Sequence, residues 1–125
     1  MLAERPSDLI LGNVFVGISG LVPGLDLTVQ LKIEGFSFGT SIKAKPARHM
    51  IERLEAAGEL RPGSHLIESS SGNLGLALSA IAAERNYRFT CVSDPNLPSQ
   101  THKLMRAFGA EVVVVTQRDD NDGYI

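Results

Sequence analysis

The chain has 125 residues, enough for one ordinary domain with a hydrophobic core and too few for two of typical size. Its 12 Lys and Arg nearly balance 14 Asp and Glu with no run of either sign, which offers no electrostatic footprint for nucleic acid or a membrane surface. A single cysteine, Cys91, excludes an internal disulfide framework, the charged start "MLAERPSDLI" lacks a signal peptide's apolar core, and no apolar run nears the ~20 residues of a membrane-spanning helix, so a soluble cytoplasmic protein is expected.

In chain order, "LILGNVFVGI" is apolar and broken at Gly12-Asn13, which predicts a turn between short extended pieces. In "LTVQLKIE", Leu27, Val29, Leu31 and Ile33 alternate with Thr28, Gln30, Lys32 and Glu34, the pattern of a strand with one buried face. After the loop "GFSFGTS", Pro46 suits a first helical position, and Ala47, Met50, Ile51 and Leu54 share one helix face up to Gly58, a C′ candidate. "ELRPGS" predicts a turn and "HLIES" a short buried strand.

"NLGLALSAIAAER", Asn73 to Arg85, is apolar nearly all round, as in a helix covered on most sides. "YRFTCVS" then predicts a strand, "DPNLPS" a loop, and Ser99 to Phe108 a helix with Ser99 as N-cap and Gly109 past its end. The β-branched run "EVVVVT" predicts a strand buried on both faces. From Pro46 onward helix and strand alternate with short connections, which calls for an α/β fold with an open parallel sheet and crossover helices. No internal repeat or low-complexity tract is present, and the chain stops in "QRDDNDGYI" with no closing helix, so it reads as cut rather than finished.

Two loops carry candidate chemistry. "ESSSGNLG", Glu68 to Gly75, joins a predicted strand to a helix N-terminus, where free N–H groups and the positive helix end favour a carboxylate or phosphate. Simple capping by Ser71 or Asn73 explains one polar residue there but not three serines with Gly-Asn, so a binding loop is favoured. Lys43 is either a solvated loop charge or an amine for reaction with a carbonyl, helped toward its uncharged form by the helix start near Pro46 and by Lys45. Residue types alone favour the solvated charge.

The segments "IEGFSFGTSIKAKPA" and "GELRPGSHLIESSSGNLGLALSAIAAERNYRFTCVSDPNLPSQTHKLMRAFGAEVVVV" resemble the cysteine synthase and cystathionine β-synthase group of fold-type-II pyridoxal-phosphate enzymes. Those enzymes carry a "GGSIKDRPA"-like lysine segment followed about thirty residues later by a "TSGNTG" loop; the match runs from about Gly12 to the chain's end. The resemblance implies that Lys43 holds pyridoxal 5′-phosphate as a Schiff base, that Asn73 bonds the cofactor's ring hydroxyl oxygen, and that Ser70, Ser71 and Gly72 receive the substrate carboxylate. It also implies a PLP-dependent synthase, transferase or lyase, of amino-acid biosynthesis, a homodimer in full-length form.

The departures are Gly12-Asn13-Val14-Phe15-Val16 for "GNTPL", "GTSIKAKP" for "GGSIKDRP", and Leu74 for the loop threonine. Leu74 offers a carboxylate its backbone N–H and no side-chain donor. "SGNLG", "FTCVSDP" and "DGYI" are similar to the siderophore-pathway branch, the N-(2-amino-2-carboxyethyl)-L-glutamate synthases, which join O-phosphoserine and glutamate into a diaminopropionate precursor; O-acetylserine is the other activated serine of the group. Residues 1–45 are expected to form N-terminal strands and the lysine loop, and 46–125 a small α/β domain truncated at its C-terminal end. The family's phosphate loop and the residue facing the pyridine nitrogen lie further along, so the chain is expected to be the N-terminal portion of a longer enzyme. Two alternatives stand beside it: a serine or threonine dehydratase of the same fold, and a non-catalytic fragment that binds a partner.

The remaining candidates take bland readings. His49, His65 and His102 lack ligand spacing, so no metal is expected, and Cys91 reads as core. "DDNDG" places its glycine one position early for a calcium loop, and the glycines of "GISGLVPG" have the wrong spacing for a dinucleotide fingerprint.

Overall fold

The structure, a computed structural model, describes residues 2–119 and 123. Two strands, β1 (Phe15–Ser19) and β2 (Thr28–Lys32), pair antiparallel as a ribbon, with Phe15 opposite Lys32 and Ser19 opposite Thr28. Helix α1 (Ala44–Ala56) then leads into β3 (His65–Ser69), α2 (Asn73–Glu84), β4 (Arg88–Ser93), α3 (Ser99–Ala107) and β5 (Glu111–Val114). The three later strands form a parallel sheet in the order β3-β4-β5, the α/β alternation expected from the sequence. Short 3-10 turns occupy Pro6–Asp8 and Phe38–Thr40.

The helix ends follow their local chemistry. Past α1, Gly58 adopts φ +73°, its N–H donates to Glu55 O and that of Glu59 to Leu54 O, the paired bonds of a Schellman cap. Gly109 at φ +86° closes α3 in the same way, through Arg106 O and Met105 O. At the N-terminal ends the expectations need correction. Helix α1 begins at Ala44, so Pro46 is its third residue, where a missing N–H still costs nothing because the first turn has no acceptor for it. Pro98, not Ser99, is the N-cap of α3, and no side chain caps that end.

The core lies between the helices and one sheet face. Leu66 pairs with Phe89 and Cys91 with Val112 across the strands, and this row meets Ile51 of α1, Ala77, Leu78 and Ile81 of α2, and Met105 of α3. Each large apolar side chain buried here contributes roughly 1.5–3 kcal/mol. The opposite face carries Ile67, Thr90, Val92, Glu111 and Val113, and Ile67 is 65% exposed. The sheet strands expected to be fully buried are therefore only partly so: β3 and β5 are the edges, and Val113 and Val114 are exposed. The apolar side of β2 is also not buried, with Leu31 exposed and Val29 half-buried, because a two-stranded ribbon has no layer of its own to set against that face. "DDNDG" and "DGYI" fall largely on residues 120–122 and 124–125, outside the described residues.

Candidate active site at the helix N-termini

Helices α1 and α2 run side by side in the same direction. At their starts, Gly39 is wedged between them: a Cβ built there would lie 3.5 Å from Ala44 Cβ and 3.8 Å from Ala77 Cβ. At their ends, the buried Arg85 side chain pairs with Glu55 and, at 3.8 Å, with Glu52. The N-terminal ends holding Lys43 and the serine loop therefore open toward the same side, beyond the carboxyl end of β3, the location where open α/β sheets bind ligands.

Lys43 is the N-cap of α1, with helical φ/ψ of −71° and −15°. Its backbone N–H donates to Ser41 Oγ at 3.2 Å, whereas its exposed amine makes no ion pair or hydrogen bond among the described residues. Lys45, two residues on, donates to Glu34 Oε1 at 2.7 Å, so its charge is directed to the end of β2 rather than toward Lys43. The same carboxylate oxygen accepts from Lys32. The hydrogen bond from Lys32, then that from Lys45, hold the Glu34 carboxyl below its ordinary range, and the bond to Glu34 raises the Lys32 ammonium. Residue types alone did not single out Glu34; its place two residues after Lys32 at a strand end was the available signal.

In the second loop the serines take different roles. Ser70 is buried, and its Oγ accepts from the N–H of Gly72 at 3.2 Å and of Gly75 at 2.9 Å. Ser71 and Asn73 are exposed, and the N–H groups of Ser71, Asn73 and Leu74 donate to no acceptor among the described residues. Gly72 is the N-cap of α2, and Leu74 turns its side chain onto the core. Three free N–H groups at a helix start form a receptor for an anion, and an uncommitted amine stands at the neighbouring helix start.

Close packing fixes this loop from below. A Cβ on Gly75 would meet Cys91 Sγ at 2.7 Å and Met105 Cε at 2.8 Å, so only glycine lets the first turn of α2 rest on β4 and α3. Cys91 is fully buried, burial pushes its thiol pKa up, and its Sγ–H donates to Ser70 O at 3.5 Å, consistent with a core residue. Gly75 belongs to the quoted loop, but the need for glycine there becomes visible only with Cys91 and Met105 in place. The histidines stay apart in function: His65 Nε2 meets Thr90 Oγ1 at 2.8 Å, and no metal-holding group of His, Cys, Asp or Glu occurs among the described residues. Among the same residues no helix is long and apolar enough to cross a membrane.

The family described as "Pyridoxal-phosphate dependent enzyme" matches residues 7–124. Over its full length the chain is 40% identical to the N-(2-amino-2-carboxyethyl)-L-glutamate synthase of Ralstonia nicotianae, covering 37% of that protein. It is 38% identical over 114 residues to cysteine synthase B of Escherichia coli, covering 90% of this chain and 38% of that protein. Among solved structures, an O-ureido-L-serine synthase superposes with a TM-score of 0.83 at 34% identity, over 91% of this chain and 36% of that one. A hydrogen sulfide-producing enzyme from Fusobacterium nucleatum superposes equally well, with a TM-score of 0.83 over 90% of this chain and 38% of that one. The chain thus spans little more than a third of the length of these relatives.

Proposed function

This chain belongs to the pyridoxal-phosphate dependent enzymes, and on that premise we propose that it supplies the cofactor lysine and the substrate-carboxylate loop of a β-replacement synthase. The substrate is an activated serine, O-phosphoserine or O-acetylserine, and the product a cysteine-like amino acid or a diaminopropionate precursor. The observation that carries the reading is the pairing of Lys43, whose amine is uncommitted, with the free N–H groups of Ser71, Asn73 and Leu74 at a parallel helix start.

The donor set fits the cofactor. Lys43 Nζ is the attachment amine, and the same nitrogen takes the substrate's α-proton. The exposed Asn73 side chain is the donor for the ring hydroxyl oxygen, and the loop from Ser70 to Leu74 receives the carboxylate through the free N–H groups of Ser71, Asn73 and Leu74 and orients the amino acid. When bound, pyridoxal phosphate supplies the electron sink that makes the α-proton removable. Diversion of Lys45 to Glu34 leaves Lys43 as the amine of this loop without a carboxylate partner.

Leu74 within "SGNLG" and the 40% identity to a carboxyethyl-glutamate synthase support glutamate as the incoming nucleophile. The assembled enzyme is read as a cytoplasmic homodimer, and the exposed Phe15, Val16 and Leu31 provide apolar surface for contact with further polypeptide. The test is incubation of the cofactor-loaded protein with O-phosphoserine, O-acetylserine, serine or threonine, with and without glutamate or sulfide, followed by mass identification of products. The product expected from O-phosphoserine and glutamate is glutamate bearing the 2-amino-2-carboxyethyl group on its nitrogen, with inorganic phosphate released. A 2-oxo acid with ammonia as the sole product would assign a dehydratase instead, and a protein that never takes up cofactor would leave only a binding role.

A further inference from the structure

Ser70 has its backbone N–H, its carbonyl and both hydroxyl lone pairs engaged inside the protein. Its N–H donates to Val92 O at 2.9 Å, its carbonyl accepts from Cys91 Sγ at 3.5 Å, and its Oγ accepts from Gly72 and Gly75 at 3.2 and 2.9 Å. A hydroxyl offers two lone pairs, so both are occupied, and the residue is only 8% exposed. Ser71, one residue on, is exposed, and neither its N–H nor its hydroxyl has a partner among the described residues.

We propose that Ser70 is a positioning residue that holds the carboxylate-receiving loop from within, leaving contact with the ligand to Ser71, Asn73 and Leu74. The Gly75 N–H would otherwise compete for an anion from deeper in the turn; tied to Ser70, it closes the inner wall and leaves the outer N–H groups free. Cys91 and Gly75 complete the support, since the thiol bonds the Ser70 carbonyl and its sulfur fills the space a Gly75 side chain would take. This inference rests on the proposed function for the identity of the ligand, not for the internal geometry.

Amide hydrogen exchange on the unaltered chain tests the geometry without cofactor: the Gly75 N–H is expected to exchange at least about tenfold more slowly than those of Asn73 and Leu74, as a hydrogen-bonded against a free donor. Gly75 exchanging as fast as Leu74 would overturn the proposal whatever the enzyme reading. Ser70→Ala should remove the protection and Ser70→Thr, which keeps the acceptor, should retain it, whereas Ser71→Ala should leave it untouched. In the cofactor-loaded protein, preference for L-serine over its methyl ester should fall about tenfold in Ser71→Ala, the worth of one lost hydrogen bond to a charged group, and should fall in Ser70→Ala through the loosened loop and be restored in Ser70→Thr. Ser70→Ala with full Gly75 protection, or Ser71→Ala with an unchanged preference, contradicts the assignment. Failure of the unaltered protein to load cofactor counts against the enzyme reading alone.

Discussion

Lys45 donates to the Glu34 carboxylate at 2.7 Å, joining the end of β2 to the first turn of α1 two residues beyond Lys43. The bond sets the loop between ribbon and helix at both ends, and it removes a neighbouring amine from competition with Lys43.

The Glu34 carboxylate and the Lys32 ammonium that also donates to it make a pH prediction. Glu34 is held below its ordinary value of 4.5, so its contribution to stability is present above that value and disappears as pH falls through the lower, folded value. Lys32 is raised above 10.5, so its contribution is present below that value and is lost as pH rises through the higher, folded value. The melting-temperature gap between the unaltered chain and Glu34→Gln is therefore expected to be widest between these limits and to close on the acid side. A gap that widens on acidification contradicts it.

Thr40 lies in the lysine loop at φ +52°, a left-handed conformation that is strained for a β-branched residue, where the related motif has glycine. Thr40→Gly removes the strain and adds chain entropy to the unfolded state, two effects of about 1–2 and 0.5–1 kcal/mol. A net stabilisation of roughly 0.5–1 kcal/mol in urea unfolding is expected, and a loss would show that the loop holds Thr40 by contacts worth more than its strain.

Gly75→Ala forces a methyl group into Cys91 Sγ and Met105 Cε, and a cost of about 1–3 kcal/mol is expected from overpacking. Combining it with Cys91→Ala vacates one of the two clashes, so the double variant should lose less than the sum of the single changes. Strict additivity in denaturation would place the strain elsewhere.

The order of helices and strands from α1 to β5 was legible because each segment carries its own periodicity and Gly58 and Gly109 mark helix ends. Burial was not, because it belongs to neighbours: Ile67 and Val113 have strand chemistry, but whether a layer covers them depends on the rest of the fold. The helix starts were misread for a related reason. Pro46 is acceptable anywhere in a first turn, and Ser99 resembles a cap whether or not its oxygen reaches a donor. The motifs "GTSIK" and "SSSGN" marked the two loops, yet the division of labour between Ser70 and Ser71 follows from which one faces Cys91 and Gly75, a relation no local pattern encodes.

The central claim is that Lys43 is the cofactor lysine. It is tested most directly by adding pyridoxal phosphate, reducing with borohydride and locating the phosphopyridoxyl group by peptide mass mapping. The account predicts stoichiometric label on Lys43, none on Lys45, and loss of the bound-cofactor absorbance in Lys43→Ala with fold and melting temperature retained. Label spread evenly over the lysines, or undiminished absorbance in Lys43→Ala, would contradict it.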